Sequence, residues 1–129
     1  MKKLLILLIT VFVLSLSACS EEKALDYSSF EDNLIYSYEA AASYDDKYIV
    51  YYYSENCHHC SEVKDDILTF FTTYDKLPFY ILEVSQATDS SFLDEFVGTP
   101  TIFIMIDDQV DEAYIGSYGI LDFIDDYSD

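Results

Sequence analysis

The sequence predicts an α/β domain with a four-stranded mixed sheet and helices on both of its faces. Short apolar runs with strand character alternate along the chain with amphipathic stretches of helical spacing. The predicted order is helix, strand, helix, strand, helix, strand, strand, helix. The two strand–helix–strand crossovers imply parallel pairing with right-handed connections, and the last two strands form an antiparallel hairpin. With 129 residues, 51% of them hydrophobic, the chain can form one domain with a substantial core.

The N-terminal residues are predicted to be an export signal. Two lysines precede an uncharged apolar run at 4–16, which is too short to span a membrane. The run ends in Leu16-Ser17-Ala18-Cys19, which resembles the lipobox of bacterial lipoproteins and implies that Cys19 carries a lipid. An ordinary signal peptide with a cysteine near its cleavage site is the alternative. The chain is divided into a lipoprotein signal peptide, a tether and a globular domain: 1–18, 19–26 and 27–129.

The chain from Cys19 onward is strongly acidic. It contains all 25 Asp and Glu residues and only four of the six basic ones, which leaves a net charge of −21. No basic patch exists, so nucleic acid is excluded as a partner. An anionic membrane surface would repel such a domain, which makes a covalent lipid a suitable anchor. A solvated surface is the ordinary explanation of the acidity, and a preference for basic client proteins is the alternative.

The domain is predicted to begin with a helix and a buried strand. Ser28 and Glu31 form a capping-box pattern, and apolar residues follow at helical spacing to about Ser43. The run from Tyr48 to Tyr53 is apolar without alternation, which is typical of a strand covered on both faces.

The next predicted helix carries two cysteines at its start. The motif Cys57-His58-His59-Cys60 follows the strand, and apolar residues recur at helical spacing to Tyr74. Asn56 is the predicted N-cap, so Cys57 would be the first helical residue. Unpaired N–H groups and the helix dipole favour a thiolate at that position. Cys60 lies one turn further on the buried face, within reach of Cys57 for a disulfide.

The remaining predicted elements complete the sheet and its cover. The segment Gly98-Thr99-Pro100 breaks the chain before its most strand-like run. In chain order, the elements are a buried strand, a short helical turn, a long strand, an edge strand and a closing helix: 79–84, 89–96, 101–106, 110–115 and 120–127. There is no sign of an internal repeat or a second domain.

The number and spacing of the cysteines narrow the function. If Cys19 carries a lipid, Cys57 and Cys60 are the only pair left, and an exported location permits disulfides. A pair this close in sequence closes too small a loop to stabilise a fold, so redox chemistry or metal binding is expected. The two cysteines and two histidines are possible ligands of zinc or copper, but on one helical turn they cannot all reach one ion. No metal site is therefore assigned.

A hydrophobic strand, a Cys-x-x-Cys motif opening a helix, and Gly98-Thr99-Pro100-Thr101 about forty residues later resemble the thioredoxin superfamily. The resemblance covers roughly Tyr27 to Tyr127. It implies a thioredoxin-like fold and disulfide exchange through a redox-active Cys57–Cys60 disulfide, with no other cofactor. It also implies that Pro100 follows a cis bond and faces the disulfide, and that the backbone of Thr99 binds an extended substrate.

The motif departs from ordinary thioredoxins at three places. His58-His59 replace Gly-Pro between the cysteines, and Asn56 stands where that family has tryptophan. Tyr51 occupies the position of the family's buried acid, which relays a proton to the inner thiol. A histidine at the position of His59 resembles disulfide oxidases and isomerases. The tyrosine argues against efficient proton transfer in a reductase.

Each site residue is therefore given an expected role. Cys57 is the nucleophile, Cys60 the resolving thiol and His59 a stabiliser of the thiolate, whereas His58 is exposed and incidental. Nearby carboxylates oppose a low pKa of the Cys57 thiol. The close helix end should outweigh these exposed, screened charges.

The predicted function is that of a membrane-anchored, extracytoplasmic thiol–disulfide oxidoreductase. It would exchange disulfides with exported client proteins and with a redox partner protein, as a monomer held at the cell membrane by lipidated Cys19. Two alternatives remain open. One is a zinc or copper delivery protein, and the other is a non-catalytic thioredoxin-like binding module, against which the intact cysteine pair argues.

Overall fold

The computed structural model describes residues 23–88 and 98–128. Within them, the strands are β1 Leu34–Ile35, β2 Lys47–Tyr53, β3 Phe79–Glu83, β4 Thr101–Ile106 and β5 Gln109–Ile115. The α-helices are α1 Tyr38–Ala42, α2 His58–Thr73 and α3 Gly116–Tyr127, and 3-10 helices span Tyr27–Asn33 and Val84–Gln86. The strands form one mixed sheet in the order β1-β3-β2-β4-β5.

The central strand of the sheet is β2. It pairs in parallel with β3, which places Tyr51 opposite Ile81, and antiparallel with β4, which places Tyr51 opposite Ile102. All residues from Tyr48 to Tyr53 are buried. The prediction of a strand covered on both faces is confirmed.

Alternate side chains of β2 enter two hydrophobic cores, since successive residues of a strand point to opposite faces. The larger core lies beneath α2 and α3 and takes three residues of this strand: Ile49, Tyr51 and Tyr53. The smaller core includes Ala41 of α1 and takes the other three: Tyr48, Val50 and Tyr52. Helices therefore cover both faces of the sheet, as the sequence predicts.

The N-terminal part of the domain differs from the single predicted helix. A 3-10 helix, β1 and α1 follow one another there, and β1 adds a fifth strand through parallel pairing of Leu34 with Ile81. The predicted capping box is also displaced. The side chain of Asp26 accepts a hydrogen bond from the N–H of Tyr27, and Ser29 Oγ accepts one from the N–H of Asp26. A two-residue edge strand is too short to show a period of two, so its apolar residues fit a helical pattern equally well.

The second predicted crossover is wrong. Strand β4 pairs with β2 and not with β3. It runs antiparallel to β2, with Ile104 opposite Ile49. Buried parallel and antiparallel strands are both continuous apolar runs, so the pattern cannot give the direction. The predicted hairpin of β4 and β5 is confirmed, and its turn places Asp107 and Asp108 at positive φ.

Three predictions fall outside the described residues: the signal peptide at 1–18, the lipidation of Cys19 and the helical turn at 89–96. Within residues 23–88 and 98–128, no helix has the length and apolar composition needed to cross a membrane.

Candidate redox site

Cys57 caps α2 and is not its first helical residue. Its backbone is extended, the helix begins at His58, and the Cys57 sulfur accepts a hydrogen bond of 3.1 Å from the N–H of Cys60. The sulfur thus takes the position that a serine or aspartate oxygen has in an ordinary cap. Asn56 as N-cap is therefore wrong by one position, because its side chain fits general cap preferences but the sulfur makes the bond. An N–H donor and the helix dipole both act on this sulfur, which favours the thiolate.

The two cysteines differ in their accessibility. Cys60 is 2% exposed, as the inward orientation predicts, whereas Cys57 is only partly buried. They form a disulfide with Cα atoms 5.2 Å apart, within the usual range. A thiolate from another protein can therefore approach Cys57, while Cys60 is shielded.

The loop before β4 lies against the reactive sulfur. The Thr99–Pro100 bond is cis, and the carbonyl oxygen of Thr99 is 3.2 Å from Cys57 Sγ. The loop is held by two hydrogen bonds. The N–H of Gly116 donates to the carbonyl of Pro100 at 2.8 Å, and Thr101 Oγ1 donates to the carbonyl of Gly98 at 3.0 Å. The predicted cis bond and its position are confirmed, and the binding of substrate by Thr99 and Pro100 stays a prediction.

The two histidines share one carboxylate. Nδ1 of His59 lies 2.8 Å from Glu62 Oε2, and Nε2 of His58 lies 3.4 Å from Oε1. These pairs follow the i, i+3 and i, i+4 spacing of a helix. The hydrogen bond with His59, followed by the charges of both imidazoles, lowers the pKa of the Glu62 carboxyl. Glu62 is thus a direct partner of His59 and not only one of the carboxylates near the thiol. The role of His59 at the thiolate stays a prediction.

Tyr51 lies at the position that the resemblance gives to a buried acid. Its side chain is fully buried, and its ring stacks on that of Tyr53 at a centroid distance of 5.9 Å. Burial raises the pKa of Tyr51 to about 12. The residue is therefore a neutral phenol at physiological pH and cannot accept a proton from a thiol.

A group of residues beside the cysteines was not predicted from the sequence. A cavity of about 340 Å³ is lined by both cysteines together with Asp26, Tyr27 and Lys64, among others. Lys64 Nζ donates to Asp26 Oδ1 at 2.6 Å and lies 4.9 Å from the centre of the Tyr27 ring. This hydrogen bond is the main cause of a lowered pKa of the Asp26 carboxyl. Helical spacing places Lys64 near Cys60, but no spacing rule connects either residue to Asp26.

The cysteines and histidines of the motif are also candidate metal ligands. In the part of the chain that the structure describes, no three of the His, Cys, Asp and Glu side chains form a group that could hold a metal ion. The observation that bears on disulfide exchange is a separate one: the two cysteines are bonded, and they differ in exposure.

Comparison with known proteins agrees with the fold. The thioredoxin family model matches residues 29–126. No curated protein sequence matches the chain.

Solved thioredoxin structures share the fold at low sequence identity. Thioredoxin from Plasmodium falciparum has a TM-score of 0.61 and 17% identity, covering 74% of this chain and 98% of its own. Thioredoxin from Malassezia sympodialis also has a TM-score of 0.61 and 17% identity, with coverage of 74% and 90%. Mitochondrial thioredoxin 3 from Saccharomyces cerevisiae has a TM-score of 0.59 and 18% identity, with coverage of 73% and 93%. At these identities the likeness concerns the fold alone.

Proposed function

The chain belongs to the thioredoxin family, and from this premise we propose that it is a membrane-anchored, extracytoplasmic thiol–disulfide oxidoreductase that acts on exported proteins. Family membership and the close cysteine pair support thiol–disulfide oxidoreductase chemistry in general. The membrane anchor and the exported clients are the further parts of the proposal.

One observation carries the proposal: a reachable cysteine caps a helix and is bonded to a shielded cysteine. The Cys57 sulfur accepts a hydrogen bond from the N–H of Cys60, and the carbonyl oxygen of Thr99 lies 3.2 Å from the same sulfur. An extended client segment that pairs with the backbone at Thr99 would bring its own sulfur to Cys57. Cys60 would remain behind, positioned to complete the exchange.

The exchange proceeds in two steps that conserve electrons. A client thiolate attacks Cys57 Sγ and forms a mixed disulfide, and Cys60 leaves as a thiolate that takes up a proton. A second client thiolate then attacks the client sulfur of the mixed disulfide, and Cys57 leaves as a thiolate stabilised at the helix end. Two electrons pass from the client to the pair. The reverse sequence begins with attack by the Cys57 thiolate and reduces a client disulfide.

The anchor rests on the sequence Leu16-Ser17-Ala18-Cys19 after the apolar run. A lipid on Cys19 would hold the domain at the outer face of the membrane despite its charge of −21, because acyl burial does not depend on attraction to lipid headgroups.

Oxidation of a dithiol peptide tests the proposed chemistry. Oxidised protein is mixed with a soluble peptide that contains two cysteines, and the free thiols of the peptide are counted over time after the peptide is separated from the protein. One peptide disulfide should form for each Cys57–Cys60 disulfide consumed. The matched control is the Cys57→Ala/Cys60→Ala double variant, which should leave the peptide reduced. Equal loss of peptide thiols with the two proteins would overturn the proposal.

A further inference from the structure

A groove lies between α2 and α3, away from the cysteine pair. Its volume is about 670 Å³, and its residues on α2 begin at Asp65, eight positions after Cys57. At the start of α3, the N–H of Gly116 donates to the carbonyl of Pro100 beside the cysteines, so this helix also begins at the redox end. The groove therefore occupies the C-terminal halves of both helices and is separate from the redox site.

The floor of the groove is apolar. Phe70 and Tyr74 line it at the end of α2, with their ring centroids 4.9 Å apart. Leu121, Ile124 and Tyr127 line it on α3. Leu121 is 40% exposed although its side chain is large and apolar. A partner with an apolar surface would remove this floor from water, which favours a complex.

Carboxylates stand on both sides of this floor. Asp65, Asp66 and Asp75 lie on the side of α2, Asp125 lies on α3, and all four residues are exposed. Lys76 is the only basic residue among the described residues that line the groove, so the lining has a formal charge of −3. Within residues 23–88 and 98–128, none of the four aspartates belongs to a salt bridge. The rim thus favours a cationic partner.

The ends of the two helices strengthen this preference. Helix α2 ends at Thr73 and α3 at Tyr127, both residues line the groove, and neither helix has a basic residue in its last turn. The unpaired carbonyl groups of a helix C-terminus carry partial negative charge and favour cations. Asp125 adds a carboxylate in the last turn of α3, where it is electrostatically unfavourable. A cationic partner would offset both effects.

The shape of the groove matches an amphipathic helix. Such a helix has an apolar stripe with a polar face on either side, and the groove has an apolar floor between two acidic sides. The stretch from Asp65 to Tyr74 advances about 14 Å at 1.5 Å per residue, or about two and a half helical turns. The complementary segment is therefore a helix of about ten residues with lysine or arginine beside its apolar stripe.

We propose that this groove binds a basic amphipathic helix of the client proteins that exchange disulfides at Cys57–Cys60. The part that concerns clients rests on the proposed function, and the exchange follows the two steps given there. A second copy of the chain fits poorly, since only four basic residues follow Cys19 and its charge of −21 repels a like copy. An anionic bilayer is repelled for the same reason.

The distance between the groove and the reactive sulfur permits simultaneous engagement. Thr69, near the middle of the groove, lies twelve residues after Cys57, which is about 18 Å along α2. A flexible linker of about twelve residues has a similar r.m.s. span of about 19 Å. A client whose cysteines lie about that far from its basic helix would meet Cys57 at a high effective concentration.

Binding of a designed peptide tests the groove. The probe is a helical peptide of lysine and leucine, with the leucines and one tryptophan along a single face. Its tryptophan emission reports binding, because the protein contains no tryptophan. One control peptide has the same residues in scrambled order, which keeps the charge and removes the apolar face. In a second control peptide, glutamate replaces every lysine. Both controls should bind at least about tenfold more weakly than the probe.

Two double variants with equal net charge locate the site. Asp65→Asn/Asp125→Asn neutralises one carboxylate on each side of the groove and should raise the Kd of the probe about tenfold. Glu39→Gln/Asp46→Asn is the matched control at exposed positions elsewhere and should leave the Kd unchanged. Circular dichroism during heating checks that both variants fold.

A separate pair of variants tests the apolar floor. Leu121→Gln should raise the Kd about fivefold, whereas Tyr44→Gln, at an exposed aromatic residue outside the groove, should leave it unchanged.

Several binding results would overturn the inference. Equal Kd values for the rim variant and its matched control would show that binding depends on net charge alone. Equal affinity for the probe and the scrambled peptide would exclude an amphipathic ligand. Tighter binding of the glutamate peptide, or no binding of the probe by the native protein, would have the same consequence.

A dithiol joined to the probe tests the link to clients. Two cysteines are attached through twelve Gly/Ser residues, and loss of peptide thiols is compared with that of the same dithiol without the helix. The joined peptide should be oxidised about tenfold faster by the native protein and by Glu39→Gln/Asp46→Asn. This advantage should disappear in Asp65→Asn/Asp125→Asn.

The plain dithiol separates failure of the inference from failure of the proposed function. If the native protein oxidises the plain and joined peptides at equal rates, the proposed function stands and docking of clients in the groove is overturned. If both peptides stay reduced, the proposed function fails and the client part of the inference fails with it. The groove as a site for a basic helix is then upheld or overturned by the Kd values alone.

Discussion

The sulfur of Cys57 lies 3.2 Å from the carbonyl oxygen of Thr99. Its other neighbour, the N–H of Cys60, is a donor at 3.1 Å. A protonated thiol can donate to the carbonyl, whereas a thiolate is favoured by the N–H and the helix end. The reactive sulfur thus lies between a group that favours its neutral form and groups that favour its charged form.

Replacement of one cysteine at a time should reveal the order of attack. Cys60→Ala should accumulate mixed disulfides through Cys57, because the shielded sulfur that would resolve them is gone. Cys57→Ala is the matched variant and should accumulate almost none, since Cys60 is 2% exposed. Non-reducing electrophoresis of protein incubated with client disulfides measures both. Stronger trapping by Cys57→Ala would reverse the assigned roles.

The alkylation rate of Cys57 should report a lowered pKa. The rate–pH curve of a thiol-specific reagent should give a value below the free-thiol pKa of about 8.5, because the helix end stabilises the thiolate. His59→Ala should raise this pKa if the imidazolium contributes. His58→Ala serves as the control, since that side chain is 81% exposed and is expected to be incidental. An unchanged curve for His59→Ala would remove His59 from the site.

Replacement of Cys19 should change the location of the protein. Cys19→Ala removes the proposed lipid attachment, so the protein should be released from the membrane fraction or remain uncleaved. Ser17→Ala is a suitable control because it keeps a small residue before the cysteine. Fractionation and the mass of the mature chain are the measurements. Membrane retention of Cys19→Ala at the mature size would contradict the lipid anchor.

Gly119→Ala should destabilise the fold although alanine is the better helix former. A Cβ built on Gly119 would lie 2.8 Å from the backbone carbon of Tyr114, which cannot move as a side chain can. The clash should cost about 1–3 kcal/mol in the free energy of unfolding, against a helix-propensity gain of about 1 kcal/mol. Urea unfolding measures the difference. Asp122→Ala, at an exposed position of α3, is the control, and equal or higher stability of Gly119→Ala would refute the predicted clash.

Alkaline pH should unfold the protein through its buried phenols. Burial raises the pKa of Tyr51 to about 12, so the folded state favours the neutral form. This contribution is fully present below the unfolded pKa of about 10 and is lost as pH rises through the folded value. Tyr51 alone should account for roughly 2–3 kcal/mol of lost stability by pH 12. Tyr51→Phe should reduce the slope of unfolding free energy between pH 10 and 12, and an unaltered slope would exclude Tyr51 as its source.

Long buried segments are the part of the fold that the sequence predicts well. The apolar run at Thr101–Ile106 gives both ends of β4, and the periodic pattern after the cysteine motif gives the body of α2. Such patterns are reliable because burial repeats over many residues. Neither the direction of β4 nor the two-residue β1 produces a repeated pattern of this kind. The parallel pairing predicted for β4 and the helix predicted in place of β1 were wrong for this reason.

In the candidate site, the structure shows contacts between residues distant in sequence that the sequence does not predict. The cysteine pair, Thr99 and Pro100 follow from motifs, whereas the Lys64–Asp26 bond joins residues 38 positions apart. The change of cap from Asn56 to Cys57 depends on one hydrogen bond whose acceptor is sulfur. General preferences for oxygen-bearing caps do not predict it.

The two edge strands of the sheet also limit how copies of the protein can associate with one another. An open sheet presents unpaired N–H and C=O groups at its edges, which can template pairing with another chain. Here one edge, β1, offers only two residues, and the other, β5, exposes Asp111 and Glu112. Two copies that approached through β5 would bring like charges together. These two edges therefore disfavour edge-to-edge pairing of several copies into an extended sheet, although the chain is rich in tyrosine and isoleucine, which favour strands.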